Sequence, residues 1–279
     1  MIDMHIHVVP PNLPGVGALS PLLEEPVDVL AAALRREMQA AGVDQALAMG
    51  LWEPTSEDDP LGVAATLRIA RVVPGVHAIG VTDPTRTDPE HLRRVEAVLA
   101  SGRVRALKAY LGYLPYGPDH AGYRPYYALA ARHQLPVIFH TGDTYSPQAR
   151  VRFAHPLLVD DVAVDHPQVR FVLAHFGNPW LTDAAEVVYK NANVWADLSG
   201  LAVGDETAFT AAGRQELLHD LLGAVGRAYR YAERPDRFLY GSDWPLAPLA
   251  VYHDFIRRAL PENDLPLFLE GNARALFRL

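Results

Sequence analysis

Cysteine is absent from this 279-residue chain. That excludes disulfides, thiolate catalysis and sulfur-ligated metal, so any metal must sit among nitrogen and oxygen donors. Lysine is almost absent as well, occurring only at Lys108 and Lys190, and arginine carries nearly all the positive charge. There is no Lys/Arg run, and the net charge is −8 with a pI near 5.8, whereas a nucleic-acid binder is normally basic. No apolar run approaches the roughly 18 residues of a membrane span, and no basic segment precedes an apolar one at the N-terminus. The expectation is a cytoplasmic protein acting on a small molecule, with no nucleic-acid or membrane partner; oligomeric state is open, and a homodimer is compatible with the sequence.

What is present points to a large core. Apolar residues make up 49% of the chain, and the length is near the roughly 250 residues of one α/β barrel. Apolar strand-like runs at 1–7, 43–51, 76–82, 103–110, 136–140, 169–175, 193–199 and 237–241 alternate with helical patterns. Asp28 is expected to cap the first helix, whose face is Leu30, Leu34, Met38 and Ala41 and whose end is Gly42. Further helices are expected at 57–73, 89–100, 122–134, 156–165, 181–191 and 214–232. The last of these carries Leu217, Leu218, Leu221, Leu222, Val225 and Tyr229 on one side. Eight β-then-α units predict a (β/α)8 TIM barrel, one domain spanning 1–279. The alternative is an open doubly wound sheet, but no Gly-rich phosphate loop follows any strand. Helix-to-strand links are short and strand-to-helix links long (8–27, 111–121, 141–155, 200–212), which places an active site at the strands' C-terminal ends.

Chemistry-bearing residues collect at those ends. His5 and His7 sit at alternate positions of the first strand, so both project to one side. Lys108 ends the fourth strand, His140 the fifth, His175 the sixth, and Asp243 follows the eighth. Neutral imidazoles with one carboxylate suit a divalent ion. The contexts HTGDT, LAHFGNPW, ADLSG and GSDWP, with the His-x-His strand, resemble the amidohydrolase superfamily, in its amidohydrolase-2 branch of metal-dependent hydrolases and aminocarboxymuconate-semialdehyde-type decarboxylases. The resemblance covers nearly the whole chain.

It implies that His5, His7, His140 and Asp243 ligate one ion, Zn²⁺ first, with Mn²⁺ or Fe²⁺ as alternatives. It implies that His175 is the acid/base beside them, sharing with Asp243 the proton of an attacking water. In the superfamily's two-metal members a carboxylated lysine ends strand four, where Lys108 stands; this branch implies an unmodified lysine and one ion. Lys108 is then an anion-binding candidate. Tyr110, Trp52, Asp143, Arg150 and Trp244 are further substrate-binding candidates, with Trp180 at the rim and a tyrosine-rich stretch from Tyr110 to Tyr127 divided between pocket wall and helix packing. Asp197 and Ser199 are expected to support the ligands, and Asp3 to hydrogen-bond locally. The expected activity is metal-dependent hydrolysis of an amide, ester or lactone; the alternatives are non-oxidative decarboxylation of an unsaturated or aromatic acid, and a metal-loaded binding protein.

Overall fold

Eight short strands alternate with helices in the computed structural model, which describes residues 1–52 and 58–279. The strands are β1 (Ile2–His7), β2 (Gln45–Met49), β3 (Val76–Val81), β4 (Val104–Ala109), β5 (Val137–His140), β6 (Phe171–Ala174), β7 (Val194–Asp197) and β8 (Phe238–Leu239). Each pairs in parallel with the next, in the order β1 to β8. Because β8 is so short, the seam back to β1 is closed by single backbone hydrogen bonds: Met4 N to Tyr240 O at 2.9 Å, Asp243 N to His5 O at 2.8 Å and His7 N to Trp244 O at 2.6 Å. The result is the expected (β/α)8 barrel, nearly closed.

The helices are α1 (Val27–Ala41), α2 (Ala64–Val72), α3 (Pro89–Ala100), α4 (Arg124–His133), α5 (Leu157–Asp165), α6 (Leu181–Lys190), α7 (Glu206–Thr210), α8 (Gln215–Ala232), α9 (Leu249–Ile256) and α10 (Asn272–Phe277). Gly42 ends α1 in the left-handed region, its N–H reaching Met38 and Gln39 carbonyls, a conformation glycine adopts without strain. Asp28 does not cap α1: Pro26 precedes the helix and Asp28 lies inside the first turn, where its charge still suits the helix dipole. Helix α2 starts later than the 57–73 pattern, whose residue 57 lies outside the described residues. The Asp59 carboxylate accepts from Val63 N at 2.8 Å and Ala64 N at 2.9 Å and so caps the helix there. In α8 the buried stripe is Leu218, Leu222, Val225 and Tyr229, while Leu217 is 62% exposed, because one residue step turns a helix by about 100°.

The barrel interior is filled at one end by Ile2, Met4, Leu47, Ile79, Ile138, Val172 and Leu239, and α10 plugs that end with Ala273, Leu276 and Phe277. The opposite, C-terminal end is left for polar residues. Strand β1 changes face between the two: Ile2 and Met4 belong to the interior cluster, but Ile6 packs outward against α1. A register irregularity between Asp3 and Ile6 is responsible, since one extra residue flips the two-residue alternation. Asp3, fully buried, holds it: Oδ1 accepts from His5 N at 3.0 Å and Ser242 N at 3.1 Å. The irregularity therefore puts His5 and His7, rather than Ile6, over the barrel axis, and ties them to the turn that carries Asp243. No helix among the described residues is long and apolar enough to cross a membrane.

Candidate metal centre

A cavity at the C-terminal mouth is lined by His5, His7, His140, His175, Lys108 and Asp243, all from strand ends. His7 Nε2 lies 3.2 Å and His5 Nε2 3.6 Å from Asp243 Oδ1. These three residues offer ligand atoms within 4.8 Å of one another. Asp243 Oδ1 is buried and makes no hydrogen bond among the described residues. A buried carboxylate oxygen facing two imidazole nitrogens without a hydrogen bond is costly by itself, and it is the donor arrangement a divalent cation satisfies. Three protein ligands with room for further ones is the pattern of a catalytic rather than a structural zinc site.

His5, His175 and Asp197 form a second close group, of a different character. Its short distances are already hydrogen bonds. Asp197 Oδ2 lies 3.1 Å from His5 Nδ1, and Oδ1 accepts from His175 N at 3.1 Å, Ser199 N at 2.9 Å and Ser199 Oγ at 2.5 Å. Ser199 spends its one proton on Asp197, so the Nδ1 atoms of His5 and His175, both 3.0 Å from its Oγ, must be the donors there. His175 Nδ1 is also 3.1 Å from Ser199 O. Both rings are thereby set with Nε2 as the lone-pair nitrogen, His5 toward Asp243 and His175 toward the cavity. This is the carboxylate–histidine support expected behind a metal ligand, and Asp197 and Ser199 occupy the places expected of them.

Electrostatics agree with the geometry. Burial, aided by nearby Lys108, pushes the His5 imidazole down to about 4, and burial holds His140 well below its ordinary value, so both are neutral lone-pair donors at pH 7. Burial opposes ionisation of Asp243 and Asp197, but the imidazoles beside them, His7 and His5 for Asp243 and, for Asp197, His5 with the hydrogen bond from Ser199, outweigh it and hold both carboxyls well below the usual range. Lys108 is fully buried, and its ammonium has no hydrogen-bond partner among the described residues; burial lowers it to about 8. The backbones of His175, Phe176 and Asp243 all lie in the left-handed region, at φ 61°, 47° and 63°, a strained conformation that clusters at functional sites. Gly200 is required beside them: a Cβ there would lie 2.7 Å from Asp243 Oδ2 and 2.9 Å from His175 Nδ1.

Three of the four expected ligands are thus brought together. His140 lines the same cavity, its ring 4.9 Å from that of His175, but it lies outside both close groups, and its Nε2 is 2.8 Å from the Asp143 carbonyl. Tyr110 and Asp143 line the cavity as expected. Trp244, Trp52 and Arg150 do not. Trp244 is 2% exposed and packs beside Ile6 behind β1, Trp52 packs behind Tyr110 and Tyr113, and Arg150 is exposed on its loop. Trp180 packs against His155 instead, the two rings tilted by 46°. Of the tyrosine-rich stretch, Tyr110 and Tyr113 reach the cavity, while Tyr123, Tyr126 and Tyr127 are core. The walls not foreseen are Pro11, Leu13, Val16, Leu19, Tyr145 and Leu246. They come from long loops without periodicity, so no sequence pattern marks them.

The site's titrations predict a pH response of the metal-free protein. An unfolded histidine takes up a proton near pH 6.5; folded His5 resists until about 4. Between those values the unfolded chain binds more protons, so stability falls as pH falls, by about 3 kcal/mol for His5, and His140 adds in the same direction. Asp3 opposes them: burial raises it to about 7, so the folded state keeps its proton and gains as pH falls. Burial raises Asp143 as well, which opposes the histidines in the same way. His77, His91 and His253 are also held below their ordinary value by burial, so five lowered histidines against two raised carboxyls leave a net loss. Urea unfolding of chelator-treated protein is expected to show lower stability at pH 4.5 than at pH 7, and Asp3→Asn, which keeps an accepting oxygen, is expected to widen the gap. Equal stability at the two pH values would contradict the burial of neutral imidazoles.

A family model described as Amidohydrolase matches residues 2–279, and the chain belongs to that family, the amidohydrolase-2 group. No curated protein matches it in sequence. Among solved structures, it is similar to a zinc-bound amidohydrolase from Burkholderia multivorans, with 19% identity, TM-score 0.69 and coverage of 100% of this chain and 99% of that one. It is also similar to a probable 2-pyrone-4,6-dicarboxylic acid hydrolase from Acinetobacter baumannii with citric acid bound (16% identity, TM-score 0.67, 100% and 99% covered). A third is 5-carboxyvanillate decarboxylase from Sphingomonas paucimobilis (18%, 0.60, 100% and 98%). These likenesses share the fold, and the family makes the chain an enzyme; the reaction is a separate question.

Proposed function

We propose that the chain is a metal-dependent hydrolase opening an amide, ester or lactone bond in a small carboxylate-bearing substrate. The observation that carries this is the convergence of His5 Nε2, His7 Nε2 and Asp243 Oδ1 with no hydrogen bond satisfying the carboxylate, next to a His175 ring held by its Nδ1. Those three residues would hold one divalent ion, Zn²⁺ on this donor set, with His140 beside them. When bound, such an ion lowers the pKa of water from about 16 to about 7 and polarises a carbonyl oxygen.

The chain's own residues do the rest. Lys108, buried over the Tyr110 ring and without a hydrogen bond among the described residues, holds the substrate's carboxylate in the cavity; a buried ammonium with no hydrogen bond is otherwise expensive. His175 Nε2 takes the proton of the attacking water, and Asp243 shares that duty. The proton then goes to the leaving amine or alkoxide. Tyr110, Tyr113 and Tyr145 wall the site and exclude water. The same Lys108 favours a second reading, non-oxidative decarboxylation of an unsaturated or aromatic acid, in which His175 would protonate carbon; three of the similar solved structures are decarboxylases.

The test is metal analysis of the purified protein with a panel of lactones, esters, amides and unsaturated acids. One equivalent of metal is expected, with turnover that a chelator abolishes and Zn²⁺ restores. Release of CO₂ without water consumption would move the assignment to the second reading. Turnover that survives complete metal removal would overturn both.

A further inference from the structure

Two cavities open in series at the barrel mouth. The inner one, around the metal-capable residues, has a volume of about 30 Å³, room for about two waters. The outer one has about 520 Å³. Val16, Leu19, Tyr145 and Leu246 wall both. Small-molecule sites usually occupy about 300–1,000 Å³, so the inner cavity alone accepts a head group and little else. The inner sets four imidazoles, Lys108 and two carboxylates among apolar walls that include Leu13 and Tyr110, whereas the outer adds Ala18, Pro21 and Val203, with Ser20 and Glu24 as its polar additions.

The shared wall carries a second signal. Leu19 sits at φ 69°, a left-handed conformation that a branched apolar side chain rarely adopts. Such strain persists where the surroundings over-determine it and gathers at ligand-gripping positions. Here it falls at the neck between the cavities.

We infer that the outer cavity binds an apolar tail of the substrate, with Leu19 and Leu246 forming the neck through which the tail leaves the inner site. The substrate class is a carboxylate or acyl head on an apolar chain. This rests on the reading of Lys108 and the metal-capable residues as the head-group site. Each methylene that enters the outer cavity leaves water and tightens binding about fourfold. Glu24 at the rim disfavours a second anionic group there.

Calorimetric titration of the Zn²⁺-loaded full chain with straight-chain carboxylates, butanoate to nonanoate, tests this whichever reaction the enzyme performs. Kd is expected to fall about three- to fourfold per added methylene. In Val203→Asp, and independently in Ala18→Asp on the opposite loop, the gain per methylene is expected to drop below about twofold. The readout is the ratio of long to short ligand within each protein, so a general loss of affinity cancels. Tight and length-independent binding would leave the head-group site standing and overturn the tail site, as would equal slopes in wild type and both variants. No binding by any carboxylate would sink the head-group reading, and the tail site with it.

Discussion

His5→Ala is expected to lower metal affinity by more than about 100-fold and to reduce turnover to background. Loss of a residue supporting a ligand typically costs 10–100-fold in affinity, and His5 is itself one of three converging donors. The same change removes the partner of Asp197 Oδ2, leaving a buried carboxylate short of a donor. A buried polar group left without one of its partners typically costs about 1–3 kcal/mol, so the variant is also expected to melt earlier. Asp197→Asn separates the two effects. It leaves His5 in place and keeps an accepting oxygen for His175 N and Ser199 N, but turns a donating NH2 toward His5 Nδ1 where Oδ2 accepted, so it removes both the charge and the acceptor that fix the His5 tautomer. Its expected loss is about 10–100-fold in metal affinity with the fold intact by circular dichroism. Wild-type metal content in His5→Ala, measured by elemental analysis on folded protein, would remove His5 from the ligand set.

Much of this centre is legible in the sequence because it depends on strand ends. The alternation of eight β-then-α units places His5, His7, Lys108, His140, His175 and Asp243 at one mouth, and the structure finds them lining one cavity. Asp197 and Ser199 were within reach for the same reason. What escapes is non-local. The irregularity in β1 that turns His5 and His7 inward depends on Asp3 meeting Ser242 N across the seam, 239 positions away in the chain. The tryptophans after strand ends read as rim residues, yet Trp244 bridges to Ile6 and is swallowed by the packing behind β1. A large apolar ring gains more from burial than from exposure at a rim, and which side of the loop it takes is decided by its neighbours. His140 reaches the cavity, but its contact with the Asp143 carbonyl belongs to the conformation of the following loop.

Replacing His175 by alanine is expected to leave metal content unchanged and lower turnover by about 10²–10⁴-fold, the usual range for one general acid–base group. The geometry separates His175 from the ligands. Its Nδ1 is committed to Ser199, and the close group it shares with His5 and Asp197 is already filled with hydrogen bonds. On the proposed reading, its Nε2 is the base that faces the cavity. The left-handed backbone of His175 and Phe176 is the strain that aims it, and Gly200 keeps the space beside Nδ1 open. A lost base also has a kinetic signature: kcat should fall while KM changes little. Loss of metal from His175→Ala equal to that from His5→Ala would make His175 a ligand instead and leave Asp243 to move the proton alone.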